Sequence, residues 1–304
     1  MDYEEFLQYI KNSMDIIIGK GERASIHHII KNNGIELDGL VIADEKTGVS
    51  PTIYLNEYFQ EYLACRPIGE IVSDVYEVYE TSRNKLTIDK NFFLNYEQIS
   101  KKIVYKLINY ELNKKMLKDV PHRRYLDLAI VYYCIIDHDE MGTATALIHN
   151  SYLDMWNVTK EAIHNIAVRN TPALLPARIN RIEEVIYDIF MEENDKEVED
   201  AVRNMKNDCG GVKMYVVTNC RKINGAACML YEGLLEEFAK EKKCDFYIIP
   251  SSVHEVILVP KNDKVTKEEL ESMVCEINEN EVSESEVLSN KIYEYIREDR
   301  KIIL

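Results

Sequence analysis

Ser251, Ser252, His254 and Glu255 form the densest group of chemically capable side chains in this sequence. They sit between two apolar runs, Tyr247-Ile248-Ile249 and Val256-Ile257-Leu258-Val259. Two β-branched runs around a short polar break predict neighbouring strands joined by a tight connection. Along an extended chain, residues two apart share a face and adjacent residues do not. Ser252 and His254 can then face each other, whereas His254 and Glu255 cannot once His254 belongs to its strand. A Ser–His pair with a distant carboxylate is the skeleton of nucleophilic hydrolysis. The pattern here is partial: there is no G-x-S-x-G elbow, no strand-to-helix turn at the serine and no assignable third member. The plainer reading has both serines capping the connection and His254 bonded to backbone, because a site is established by geometry and not by residue type.

A second stretch, Thr218-Asn219-Cys220-Arg221-Lys222-Ile223-Asn224-Gly225-Ala226-Ala227, ends a strand, places two cations and opens a helix. Small residues at a helix start let a ligand approach backbone N–H groups, and the helix dipole favours an anion. Asn219, Arg221, Lys222, Asn224 and Gly225 are therefore the candidate ligand-binding residues. The loop matches neither G-x-G-x-x-G nor G-x-x-x-x-G-K-[ST], so no nucleotide is specified. The structural alternative makes Asn224 an N-cap and lets Ala226 and Ala227 pack closely on a sheet.

Other chemistry is poorly supported. His27 and His28 are consecutive on a predicted strand, His149 and His164 lie on separate elements, and no H-E-x-x-H or Cys/His spacing occurs, so no metal and no cofactor are expected. Pro121-His122-Arg123-Arg124 reads as a basic surface loop before a buried strand. The seven cysteines contain no C-x-x-C pair and are odd in number, which fits reduced thiols in a cytosolic protein. A net charge of −16, from 37 Lys+Arg against 53 Asp+Glu, disfavours nucleic-acid binding because a polyanion would be repelled. Asp2, Glu4 and Glu5 do not form a signal peptide, and the apolar run 128–136 is too short for a bilayer. The expectation is a cytoplasmic protein with no membrane partner.

The elements that must position these residues fall into two regions. An N-terminal α+β domain is expected over 1–90: a capped helix from Asp2, strands over 24–31 and 37–44 around Asn32-Asn33-Gly34, a third strand at 52–55, a helix capped by Asn56 and another over 68–83. A larger α/β region over 91–304 follows, on mixed or antiparallel sheet. It contains two series of strand, helix, hairpin and helix, 103–170 and 213–278, whose matching order suggests an internal duplication. Val158-Thr159-Lys160-Glu161 and Val265-Thr266-Lys267-Glu268 open the closing helix of each series, with Thr placed to cap. Helices are expected over 179–191 and 225–242, and the acidic run 192–200 reads as a solvated helix face. The overall class is α+β.

Several stretches together resemble one family. These are Pro51-Thr52-Ile53-Tyr54-Leu55, Leu126-Asp127-Leu128-Ala129-Ile130-Val131, Gly142-Thr143-Ala144-Thr145 with Ile148-His149-Asn150, Thr171-Pro172-Ala173-Leu174-Leu175-Pro176, Asn224-Gly225-Ala226-Ala227 and Pro250-Ser251-Ser252-Val253-His254-Glu255-Val256. The chain resembles the bacterial domain-of-unknown-function family 5688 over essentially its whole length. The resemblance implies a cytoplasmic bacterial protein and supplies no reaction or catalytic residue. The functional expectation is a non-catalytic protein that binds a partner or a small anionic ligand, with an anion site at a helix N-terminus. The alternative is a hydrolase using Ser251 or Ser252 with His254.

Overall fold

The computed structural model describes residues 1–19, 21–44, 52–83, 93–139, 142–193, 212–261 and 265–304. The connection expected at 86–91 and Cys209 lie outside these residues, as do most of the acidic run 192–200 and the tip of the turn expected over 137–142. The protein is α+β, every described strand pairing is antiparallel, and the chain divides into two compact units, Met1–Ile99 and Ser100–Leu304.

In the first unit, α1 (Tyr3–Ile17) opens with the capping box that Asp2 and Glu5 predict, and buries Phe6, Ile10 and Met14 at helical spacing. Strands β1 (Glu22–Ile30) and β2 (Glu36–Asp44) pair across the Asn32–Gly34 turn, and β3 (Thr52–Tyr54) adds to β2. Helices α2 (Asn56–Leu63) and α3 (Ile68–Arg83) complete a core that includes Leu40, Leu55, Ile71 and Val75, and the short α4 (Tyr96–Ile99) ends the unit. Asn56 does not cap its helix. Its Oδ1 accepts the Asp38 N–H at 2.9 Å, tying α2 to β2 instead.

The second unit holds two sheets. In the smaller, β6 (Leu128–Asp139) runs between β4 (Ile103–Asn109) on one edge and both β5 (His122–Tyr125) and β7 (Gly142–Leu147) on the other. The expected basic loop at 121–124 is in fact strand β5. Leu126, at φ 54°, turns the chain back into β6, and the cations find partners there: Arg123 pairs with Glu161, and Arg124 lies 4.5 Å from the Tyr110 ring. Helices α5 (Asn150–Trp156) and α6 (Lys160–Leu174) follow, α5 being unanticipated.

The larger sheet has the order β13-β12-β10-β11-β9-β8, from β8 (Ala177–Arg181), β9 (Tyr215–Asn219), β10 (Phe246–Ile249), β11 (Val256–Pro260), β12 (Tyr293–Ile296) and β13 (Lys301–Ile303). Two helix expectations are corrected here. The one over 179–191 begins only at Ile182, as α7 (Ile182–Glu193), because Ala177–Arg181 pairs with β9. The one over 225–242 splits into a six-residue 3-10 turn, Gly225–Leu230, and α8 (Leu234–Lys242); Tyr231 is extended and Gly233 sits at φ 79°, which an α-helix cannot accommodate. Helix α9 (Lys267–Asn280) has the Thr266 capping box, and Thr159 caps α6 by accepting the Ala162 N–H at 3.2 Å. One face of the large sheet meets α8 through Phe238 on Phe246, with ring centroids 5.0 Å apart. The opposite face packs Ile249 and Val259 against Leu270 and Val274 of α9.

Candidate functional site

The two stretches singled out by their chemistry meet in space. Thr218 Oγ1 donates to the His254 carbonyl at 2.8 Å, the Ala226 N–H donates to the Val253 carbonyl at 3.2 Å, and the Asn224 N–H donates to His254 Nδ1 at 3.3 Å. Gly225 lies where the loops cross: a Cβ there would collide with Thr218 Oγ1 and the His254 carbonyl oxygen, so only glycine lets the backbones approach this closely. Asn219, 1% exposed, holds the turn from within. Its Oδ1 accepts the Arg221 and Ile223 N–H groups at 2.9 and 3.4 Å, and its Nδ2 donates to the Ile223 carbonyl at 2.7 Å. This bonding lets Lys222 and Asn224 take left-handed backbone, at φ 55° and 52°.

The loop between β10 and β11 is held as firmly from its other side. Its backbone pairs with residues 286–289: Leu288 N–H to the Ser251 carbonyl, Ser289 N–H to the Pro250 carbonyl and Val253 N–H to the Glu286 carbonyl, each 2.9 Å. Ser252 is buried, and its Oγ accepts the N–H of His254 at 3.0 Å. Because His254 Nδ1 accepts from Asn224, the proton of the neutral ring sits on Nε2, which lies 3.4 Å from Glu286 Oε1. Both ring nitrogens are thus engaged away from the serines. Ser251 meets its neighbours through its backbone carbonyl. Burial raises the Glu255 carboxyl above the ordinary glutamate range and Glu286 adds to the rise, while the nearby Ser252 hydroxyl, and His254 when its ring is protonated, oppose it.

Beside these loops, on the face of the large sheet that packs α9, is a cavity of about 420 Å³. Arg178 stands directly opposite Thr218, and Asn180 opposite Val216, which in turn pairs with Ile257. Opposite residues of antiparallel strands share a face. Arg178, Thr218 and Glu255 therefore form one row across β8, β9 and the start of β11, and Asn180, Val216 and Ile257 form the next. Helix α7 closes the cavity with Ile182, Val185 and Asp188, and Asn219 and Lys222 stand at its loop end.

The chain belongs to the DUF5688 family. The match to this family of unknown function runs over residues 3–297. No curated protein and no solved structure matches the chain. Within this DUF5688 chain, the nine residues proposed from sequence separate into three groups. Asn219, Lys222 and Glu255 border the cavity. Arg221 and Asn224 face Tyr133 of β6 instead: burial pushes that phenol up to about 12, against the Asn224 hydrogen bond and the Arg221 charge. Ser251, Ser252, His254 and Gly225 build the junction behind. Arg178, Asn180, Thr218 and Asp188 of the DUF5688 cavity were not proposed from sequence. The period-2 alternation of Ala177-Arg178-Ile179-Asn180-Arg181 carries the signal for a strand, but Ile179, Ile182, Val185 and Ile186 also fit a helical stripe, which hid it.

Proposed function

We propose that this chain is a non-catalytic binding protein for a small organic molecule bearing an anionic group. The observation that carries the proposal is the cavity of about 420 Å³, which combines an aliphatic lining (Ile182, Val185, Val216, Ile257) with charged groups that make no ion pair among the described residues. Small-molecule sites typically run from about 300 to 1,000 Å³ and place a few polar groups on an apolar wall. The anionic group is taken by Arg178 and Lys222 rather than by a helix N-terminus, since the 3-10 turn at Gly225 is short and its Ala226 N–H is already bonded to Val253. Binding is favoured over hydrolysis because neither His254 nitrogen is directed at a serine hydroxyl, and Ser252 Oγ takes the backbone N–H of His254.

The reading extends to a bacterial, cytoplasmic protein with a duplicated history for 103–170 and 213–278. In support of the duplication, β4 pairs with β6 and β5 with β6, just as β9 pairs with β11 and β10 with β11.

Native mass spectrometry of the purified full chain tests the function. Wild type should carry a small molecule that Val216→Phe, which fills the cavity, no longer retains. Empty wild-type protein that also shows no thermal shift with a panel of small carboxylates and phosphates would remove the proposal. Labelling by a fluorophosphonate serine probe, lost in His254→Ala, would replace it with the hydrolase reading.

A further inference from the structure

The charges around the cavity come in equal numbers, although the chain as a whole is strongly acidic. Arg178 and Lys222 stand against Asp188 and Glu255, and none of the four is ion-paired with a described residue. The signs are also separated in space. Arg178 lies on the edge strand β8, Glu255 two strands away at the start of β11, with Thr218 between. Adjacent strands are about 4.8 Å apart, so the two backbones lie about 10 Å from each other across the cavity floor. Opposite charges held apart over an aliphatic wall match a ligand that brings its own pair of opposite charges and an apolar body.

The Thr218 hydroxyl is spent on the His254 carbonyl and cannot neutralise either end. Glu255 sits half-buried on the cavity wall, next to a loop whose backbone is held by residues 286–289. Its half-buried position makes an uncompensated charge costly, and an incoming ammonium group would supply the compensation. A plain anion would satisfy Arg178 and Lys222 yet leave Glu255 facing the cavity unpaired. A plain cation would leave both basic groups unpaired.

We infer that the cavity selects a zwitterion of amino-acid or dipeptide size, its carboxylate at Arg178 and Lys222, its ammonium at Glu255 and its apolar side chain against Val185, Val216 and Ile257. The inference rests on the binding function proposed above and adds the ligand class. Asp188, exposed on α7, contributes negative field at the rim.

Isothermal titration of the full chain with L-leucine and L-leucyl-L-leucine, and with their N-acetyl and C-amide forms, tests it. At least one parent compound should bind, and removing either charge should weaken it by about ten- to a hundredfold, the range of a charge-assisted hydrogen bond. Glu255→Gln should weaken the parent to a similar degree and abolish its advantage over the N-acetyl form. Arg178→Gln, at an exposed position, should do the same for the C-amide comparison. An N-acetyl form that binds wild type as tightly as its parent overturns the zwitterion while leaving anion binding standing. Failure of both parents to bind overturns the inference, and the co-purification experiment then decides the binding function separately.

Discussion

Gly225 and Glu255 show how much of the site rests on single residues. At Gly225 the constraint is steric: an added Cβ would run into Thr218 Oγ1 and the His254 carbonyl, so Gly225→Ala forces the two loops apart. Overpacking of this kind costs about 1–3 kcal/mol, and urea unfolding should show a loss in that range. A variant as stable as wild type would mean the loops yield without cost. At Glu255 the constraint is electrostatic. The folded chain holds the Glu255 proton more tightly than the unfolded chain does, so this group lowers stability as pH rises from its ordinary 4.5 through its raised folded value. Below 4.5 both states are protonated and the penalty vanishes. Glu255→Gln removes this titration and keeps the size and shape of the side chain. Its stability relative to wild type should improve as pH rises above 4.5 and then level off; a difference that stays flat, or moves the other way, contradicts the assignment. The residue types at both positions were legible in the sequence, and their surroundings were not.

The turn after β9 and the helix caps belong to the scale of elements. Asn219 satisfies the turn through three hydrogen bonds while almost wholly buried, so Asn219→Ala leaves buried backbone groups unpaired. A loss of about 2 kcal/mol or more is expected, with faster amide hydrogen exchange at Arg221 and Ile223 as the local signature. Unchanged exchange there would show that the turn holds itself. Thr266 is a local matter by comparison: its box with Glu269 caps α9, and Thr266→Ala should cost about 1 kcal/mol without touching the cavity. Caps of this kind could be read directly, because they depend on residues three apart. The division of 225–242 could not, since the apolar spacing continues across Tyr231 and only the packing of the 3-10 turn against β9 and β4 interrupts it. Strand β8 was hidden for a related reason: its alternation is brief, and its partner β9 lies more than thirty residues on.

For the molecule as a whole, the unit Met1–Ile99 has its own core, built from α1, α3 and β2. Residues 1–99 expressed alone should therefore give cooperative thermal unfolding; a non-cooperative trace would tie its stability to the rest of the chain. The thiols give a second global readout. Cys134 and Cys228 are buried, and burial pushes them up to about 11 and about 12, whereas Cys65 is exposed. Iodoacetamide should modify Cys65 in the native protein and reach Cys134 and Cys228 only after denaturation.

The caps at Asp2, Thr159 and Thr266, the hairpin at Asn32–Gly34, the β10–β11 pair and the α+β class followed from the sequence, because each is fixed by neighbours a few positions apart, whereas the cap expected at Asn56 was not made. So did the suspicion that residues 219–225 and 250–255 matter. Tertiary structure alone decided that these loops touch, that His254 turns to Asn224 and Glu286, and that Arg178 joins Glu255 across three strands. Those relations connect residues tens of positions apart, and strand order, which sets them, leaves no periodic trace in the chain.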